Sequence, residues 1–368
     1  MNFDFSEDQK FLKDQARRFL TDKSPRTVAR RVLEEEANYD EVLWRGIAEM
    51  GWPGITVPEA HGGLGLGYLE LCVIAEELGR ALAPVPFSSS IYLAAEALLL
   101  AGGEKQKAAW LPKLASAEAI GTLALAEGPQ PPAPERLGVT FANGKLTGEK
   151  HPVPDGMIAD MAIVAARAPD GETALAVADL KDVKREPVKT LDPSRGHARL
   201  RFDATPAEPL EGGGGWATLR RLLDRAAVLF AFEQLGGADV CLDMAKAYSM
   251  ERYAFGRPIG SFQAIKHKLA DMYIANELAR SNAYYGAWAL SADAPELPLA
   301  AASARVAASE AYSFAAKENI QTHGGMGFTW EADCHLLYRR SKLLALNIGA
   351  PPAWKDRLVS QLERRNVA

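Results

Sequence analysis

The chain reads as a multi-domain α+β protein, with an N-terminal all-α domain, a middle antiparallel β domain and a C-terminal helical bundle. Three observations carry this. Apolar residues recur at helical spacing through the N-terminal third. They then give way to short apolar or alternating runs separated by Pro and Asp-Gly pairs. After the joint Glu211-Gly-Gly-Gly-Gly215, helical spacing returns and lasts to the end. The expected domains are 1–115, 116–211 and 212–368.

The elements follow in order. Ser6 before Glu7-Asp8-Gln9 predicts an N-cap with acids in the first turn, and Phe11, Leu12, Ala16, Phe19 and Leu20 continue a helical stripe. The turn residues of Met50 to Gly65 interrupt it. A second helix is expected from Tyr68 to Leu82, stopped by Ala83-Pro-Val-Pro86, with more helices to Trp110 and beyond. Strands are expected at Leu123–Ala126, Val139–Phe141, Ala162–Ala165, Ala174–Val177 and Ala198–Phe202. Asn143-Gly144 is a hairpin signal between two strands. Leu222 to Leu235 is apolar nearly all round, the pattern of a helix buried in a bundle.

Composition narrows the function classes. The chain has 368 residues, 48% hydrophobic and 24% charged, with net charge -5. That charge gives no bulk attraction to nucleic acid or an anionic membrane. Cys72, Cys241 and Cys334 form no CxxC pair, so neither a zinc site nor a disulfide framework is expected. The six histidines form no HxxxH or HExxH pattern, so no metal is expected, and no nucleophile elbow is present for Ser-His-Asp chemistry. The start, Met1 to Asp8, is acidic and lacks an apolar h-region, so no signal peptide is expected. No run reaches the roughly 18 apolar residues of a membrane span. A cytoplasmic location is expected.

Two motifs in the C-terminal half carry chemistry. The first is Arg252-Tyr-Ala-Phe255-Gly256-Arg-Pro-Ile259-Gly-Ser-Phe262-Gln263. Arg252 offers a planar fork of donors suited to pyrophosphate, Phe255 an aromatic face, and Gln263 a donor and an acceptor. The second is Gln321-Thr-His-Gly324-Gly325-Met-Gly327-Phe328, followed by Tyr338-Arg339-Arg-Ser-Lys342. Its paired glycines let backbone approach a ligand. Alone, Arg252 reads as a solvated helix residue and His-Gly-Gly as a helix C-cap turn.

Together the motifs resemble the acyl-CoA dehydrogenase family. So do Gly51-Trp-Pro-Gly-Ile-Thr-Val-Pro-Glu-Ala-His-Gly-Gly-Leu-Gly65, Glu76-Glu-Leu-Gly-Arg80, Lys107-Ala-Ala-Trp-Leu-Pro112 and Leu146-Thr-Gly-Glu-Lys150. The resemblance covers the whole chain and implies a C-terminal four-helix bundle. It also implies FAD as cofactor, an acyl-CoA thioester as substrate and an electron-transfer flavoprotein as acceptor. Arg252, Phe255 and Gln263 are then expected to reach across a subunit interface to the pyrophosphate and adenosine half of FAD. Gln321 to Gly325, with Gly324 and Gly325 central, is expected at the adenosine end.

Other family features are missing. A glutamate normally follows the Tyr-Arg-x-x-Lys helix; here Leu343 to Pro352 holds no acid, and the expected base position is Ile348. The family's alternative position on the first bundle helix is Ala226. Asp224 lies two residues away, about 200° round a helix, and reads more readily as a partner of Arg220, Arg221 or Arg225. The family's Thr-Glu-Pro-x-x-Gly-Ser-Asp is replaced by Ala126-Glu-Gly-Pro-Gln-Pro-Pro132, whose prolines donate no hydrogen bond. Its Lys-x-Trp-Ile-Thr-Asn-Gly is replaced by Lys150-His-Pro-Val-Pro-Asp-Gly156, with Pro152 and Pro154 at the aromatic and hydroxyl positions.

The resemblance therefore points to the base-lacking subunit of an α2β2 acyl-CoA dehydrogenase of the kind found in steroid side-chain degradation. Such a subunit would share FAD with a homologous catalytic subunit, and the isolated chain would bind flavin weakly or not at all. Two alternatives remain. One is a homo-oligomeric FAD enzyme with an unrecognised base. The other is a non-catalytic interaction protein without flavin.

Overall fold

The computed structural model describes residues 6–35 and 37–367. The leader reading of Met1 to Asp8 falls largely on Met1 to Phe5, outside the described residues. Along the chain run helices α1 (Glu7–Lys23), α2 (Arg26–Glu34), α3 (Glu41–Glu49), α4 (Tyr68–Arg80), α5 (Glu96–Ala101) and α6 (Glu104–Ala115). Strands β1 (Gly121–Ala124), β2 (Thr140–Ala142), β3 (Lys145–Pro154), β4 (Met161–Arg167), β5 (Thr173–Asp179), β6 (Lys184–Pro187), β7 (His197–Pro206) and β8 (Glu208–Pro209) follow. Then come α7 (Trp216–Glu251), the short strands β9 (Tyr253–Ala254) and β10 (Arg257–Pro258), and α8 (Gln263–Ser291), α9 (Leu297–His323), α10 (Cys334–Leu346) and α11 (Pro351–Val367). This is the expected order of helical, β and helical parts. By packing, the chain divides into two compact units. One is Met1–Arg30, Tyr68–Ala83 and Ala227–Ala368; the other is Arg31–Gly67 and Pro84–Ala226.

In the first unit, α1 opens with the expected N-cap. Ser6 Oγ accepts from Gln9 N at 3.2 Å, and Gln9 Oε1 accepts from Ser6 N at 2.9 Å, which closes a capping box. Lys13 and Arg17 then bond Glu76 and Glu77 of α4. The crossing of α4 on α7 is set by glycines. A Cβ at Gly79 would lie 1.9 Å from Glu233 O, and one at Gly236 would lie 1.9 Å from Glu76 O. Only bare backbone permits this approach. Beside it, buried Glu76 accepts from Lys13 and Arg280, while Asp239 accepts from Arg80, Arg280 and Asn276. Four helices are thus tied by charges that are paired rather than stranded.

The apolar reading of Leu222 to Leu235 holds. Ala226 to Phe232 are all fully buried in α7. Helices α8 and α9 pack through alanines such as Ala279, Ala283, Ala304, Ala308 and Ala315, which let the backbones approach closely. Arg305 of α9 is buried too. It donates to Gln234 Oε1 at 2.8 Å and to Leu344 O, and its guanidinium lies 5.5 Å from the Phe230 ring centre. Burial pushes its pKa down to about 9.

The second unit is built on a sheet with strand order β6-β7-β3-β2-β4-β5-β8, and β1 added on β4. The Asn143-Gly144 hairpin joins β2 to β3 as expected, with both residues at positive φ (51° and 71°). The sheet is not wholly antiparallel: β1 pairs β4 in parallel, and Thr140 pairs Arg167 in parallel. A return from β1 to β4 through the long 125–160 excursion permits this, and the apolar runs alone carry no strand direction. A π-helical stretch, Ser88–Ala95, packs on β1. Ser90 Oγ accepts from Gly121 N at 3.1 Å, Arg195 Nη1 donates to Ser88 Oγ at 2.8 Å, and Ser89 Oγ donates to Asp155. The helix expected from Tyr68 to Leu82 ends at Arg80, and Leu82 already sits at φ 54°. The three cysteines are free and buried.

Candidate functional site

Three helix ends in the first unit carry the residues singled out from sequence, and two contacts bring them together. Helix α7 ends one residue before Arg252, whose N–H closes the last turn on Tyr248 O at 2.9 Å. The Tyr248 ring stacks on His323, centroids 4.2 Å apart at 26°. His323 is the last residue of α9 and immediately precedes Gly324. Lys268 Nζ of α8 bonds Glu318 of α9 at 2.6 Å, one turn before Gln321. The C-terminus of α7, the N-terminus of α8 and the C-terminus of α9 therefore converge.

Between α7 and α8 the chain forms a tight hairpin of β9 and β10, closed by Ile259 N donating to Arg252 O at 2.8 Å. Its tip is Phe255-Gly256, with φ 51° and 79°. A left-handed phenylalanine is strained by about 1–3 kcal/mol, and Phe255 is 94% exposed. Burial within this chain does not offset that strain. Phe262 meets Phe255 edge-on at 6.2 Å, and the Arg257 guanidinium lies 4.1 Å over the Phe262 ring. Arg252 and Gln263 are exposed. Among the described residues no hydrogen bond or ion pair engages the Arg252 guanidinium. Gln263 opens the 29-residue α8, whose N-cap Phe262 provides no side-chain cap. A helix N-terminus with free amides beside an unpaired arginine suits an anion.

The glycine loop separates internal from external demands. Gly324 has φ 59° and ψ -137°, a conformation essentially limited to glycine. Gly327 is required by packing, since a Cβ there would lie 2.5 Å from Ile320 O. Gly325 has ordinary φ, and a Cβ on it would meet nothing within 4 Å. Phe328 beside it is 82% exposed. Gln321 is also exposed.

The second unit holds the stretches where the flavin ring contacts were expected. Gly128 N donates to His151 O at 2.7 Å, and His151 N donates to Ala126 O at 2.8 Å. Glu127 accepts from Gly138 N, Val139 N and the buried Lys150 Nζ, the last at 2.6 Å. Burial pushes the Lys150 pKa down despite this pairing; it pushes Glu127 up, but Lys150 and the two amides more than offset that and hold it low. The turn is thus fastened to β3 by its own donors. From Gly128 to Pro134, four of seven residues are proline and Gly128 N is already used. This stretch does not fit a flavin phosphate cradle. Pro152 and Pro154 lie on β3.

Neither expected base position holds an acid. Ile348 follows α10, is 5% exposed, and its carbonyl accepts from Trp354 Nε1 at 3.2 Å. Ala226 in α7 is 0% exposed. Asp224 is buried at 3% exposure and lies on the unbroken helix α7, about 200° from Ala226. Arg225, expected as one of its partners, bonds Glu96 of α5. Sequence reasoning missed Tyr248 and His323 as the bracket between the motifs. The signal was there: Tyr248 lies one helical turn before Arg252, and His323 lies inside the second motif.

The two motifs thus lie on converging helix ends of a chain built from helical, β and helical parts. Family models for the acyl-CoA dehydrogenase N-terminal domain and C-terminal domain match residues 6–118 and 213–350. Acyl-CoA dehydrogenase IpdE2 of Mycobacterium tuberculosis (strain ATCC 25618 / H37Rv) is 35% identical, over 97% of this chain and 98% of that protein. The chain belongs to the acyl-CoA dehydrogenase family. Among solved structures, a variant of the Tcur3481-Tcur3483 steroid ACAD matches with TM-score 0.88 and 31% identity, over 98% of this chain and 99% of that one. The ChsE4-ChsE5 complex from Mycobacterium tuberculosis matches with TM-score 0.89 and 26% identity, over 99% of each chain.

Proposed function

We infer that this chain is the non-catalytic subunit of a heteromeric acyl-CoA dehydrogenase, completing the FAD site of a homologous catalytic partner. One observation carries the reading. Both base positions are apolar and buried, Ile348 and Ala226, while Arg252, Phe255, Gln263, Gln321 and Gly325 stay exposed and Gly324 beside them presents backbone without a side chain. The two solved relatives named above, each described by a pair of chains, support a partner of the same family. One of them is a steroid ACAD, which supports a bulky acyl-CoA as the substrate class.

Bound FAD would accept the hydride from the acyl thioester. In this chain Arg252 would face the pyrophosphate, with the N-terminus of α8 adding partial positive charge. Phe255 and the Gly324-Gly325 backbone would lie against the adenosine half, and Gln263 and Gln321 would supply neutral hydrogen bonds. Removing the α-proton needs a carboxylate within hydrogen-bonding reach, and the partner supplies it. The acceptor would be an electron-transfer flavoprotein, and the setting the cytoplasm.

The test is dye reduction with acyl-CoA. The isolated chain should give background rates and carry little flavin, and its complex with a homologous catalytic subunit should turn over. Turnover by the isolated chain that vanishes in Asp224→Asn would contradict the reading and identify Asp224 as the base.

A further inference from the structure

We propose that Tyr248 and His323 form a positioning pair, setting the separation between Arg252 and the Gly324-Gly325 backbone so that both can grip one dinucleotide. The proposal rests on the reading above and names the device on which that site depends.

Arg252 and Gly324 each follow the end of a different helix, far apart in sequence, and neither is fixed by its own side-chain bonds. Each is one short step from the stack. Arg252 N donates to Tyr248 O, so the arginine rides on the turn that Tyr248 begins. His323 is covalently next to Gly324, and its Nδ1 donates to Asn319 O at 2.8 Å. That bond fixes the imidazole to its own helix and leaves Nε2 as the other ring nitrogen. The rings then meet at 4.2 Å and 26°. Both are only half-buried, so the contact lies at the rim and not in the core. Glycine at positions 324 and 325 makes the following backbone pliable, and a pliable loop keeps its place only if its root is held. The stack is that root on both sides. Tyr248 and His323 touch no reacting atom, so their action is through Arg252 and the loop.

The chemistry separates the two properties of His323. Phenylalanine keeps the stacked face and loses the bond to Asn319 O. Alanine loses both. Tyr248→Phe keeps the stack, and Tyr248→Leu removes it.

The experiment measures FAD affinity and its salt dependence in the complex with the catalytic subunit, with thermal midpoints recorded in parallel. His323→Ala and Tyr248→Leu should each weaken FAD by about tenfold. His323→Phe and Tyr248→Phe should stay close to wild type. His323→Ala combined with Arg252→Ala should weaken FAD by less than the sum of the two single losses, because part of the stack's action is to place the arginine. A purely structural role would lower the thermal midpoint and leave FAD affinity intact, which overturns the proposal. Additive losses in the double variant would also overturn it. If Arg252→Ala leaves FAD affinity unchanged, the clamp reading fails. If Arg252→Ala weakens FAD while both stack-breaking variants do not, only the positioning role fails.

Discussion

The helix ends that carry Arg252, Gln263 and Gln321 to Gly325 contrast with the β-domain turn at 126–134. In the turn, hydrogen-bonding capacity is spent inside the chain. Glu127 is held by Lys150 and two amides, Gly128 N is bonded to His151 O, and prolines replace further donors. At the helix ends the opposite holds. Arg252 is exposed and unbonded among the described residues, Phe255 is strained and bare, and Gly325 has no internal reason to be glycine. Folding explains the first region completely and leaves the second unexplained. Features that the fold does not need, kept in a recognisable pattern, mark a surface shaped for something outside the chain.

The largest expected effect is on catalysis. General-base catalysis contributes about 10² to 10⁴-fold, so the isolated chain should fall at least that far below its complex in acyl-CoA turnover. Asp224→Asn should leave the complex unchanged, and steady-state dye reduction checks both.

The next contrast sets a charge the fold uses against one it does not. Burial pushes the Glu76 carboxyl up, but Arg280 and Lys13 more than offset this and hold it below the usual range. Its stabilisation is therefore complete above the ordinary carboxylate pKa and is lost as pH falls through the lowered folded value. Glu76→Gln removes the carboxylate facing Lys13 and one of the two that hold Arg280, which keeps Asp239, and should cost about 3 kcal/mol at neutral pH. It should also remove part of the acid limb, so that urea midpoints at neutral pH and about pH 3 differ less than in wild type. Arg252→Ala should leave stability unchanged and instead weaken FAD retention in the complex by about 1.5–3 kcal/mol. Gln263→Ala should act in the same direction and more mildly, because it is neutral. Flavin release by gel filtration at rising salt checks both.

The glycines give the finest division. Gly327→Ala drives a Cβ into Ile320 O and should cost about 1–3 kcal/mol of stability. Gly325→Ala meets nothing and should change stability by no more than about 0.5 kcal/mol, yet lower flavin loading of the complex. A stability loss at Gly325 equal to that at Gly327 would erase the distinction between internal and external demand.

Much of this was legible in the sequence, for identifiable reasons. Ser6 with Gln9, the Asn143-Gly144 turn and the all-round apolar stretch from Leu222 are local signals, and each appears where expected. The parallel pairing of β1 with β4 was not legible, because strand direction is decided by the path of the intervening chain. The bond of Arg225 to Glu96 was not legible for a similar reason, because packing brings together residues 129 apart in sequence. Arg252 and Gly324 could be named from their motifs. That Tyr248 and His323 join them is a tertiary fact, recoverable from sequence only by counting one helical turn back from Arg252.

The most direct measurement is the ratio of FAD to each chain in the purified complex of this protein with its homologous catalytic subunit, with subunit masses from native mass spectrometry. The expected result is one FAD per pair of unlike chains, lost on separation of the two. One tightly held FAD per copy of this chain, in an oligomer of this chain alone, would contradict the account.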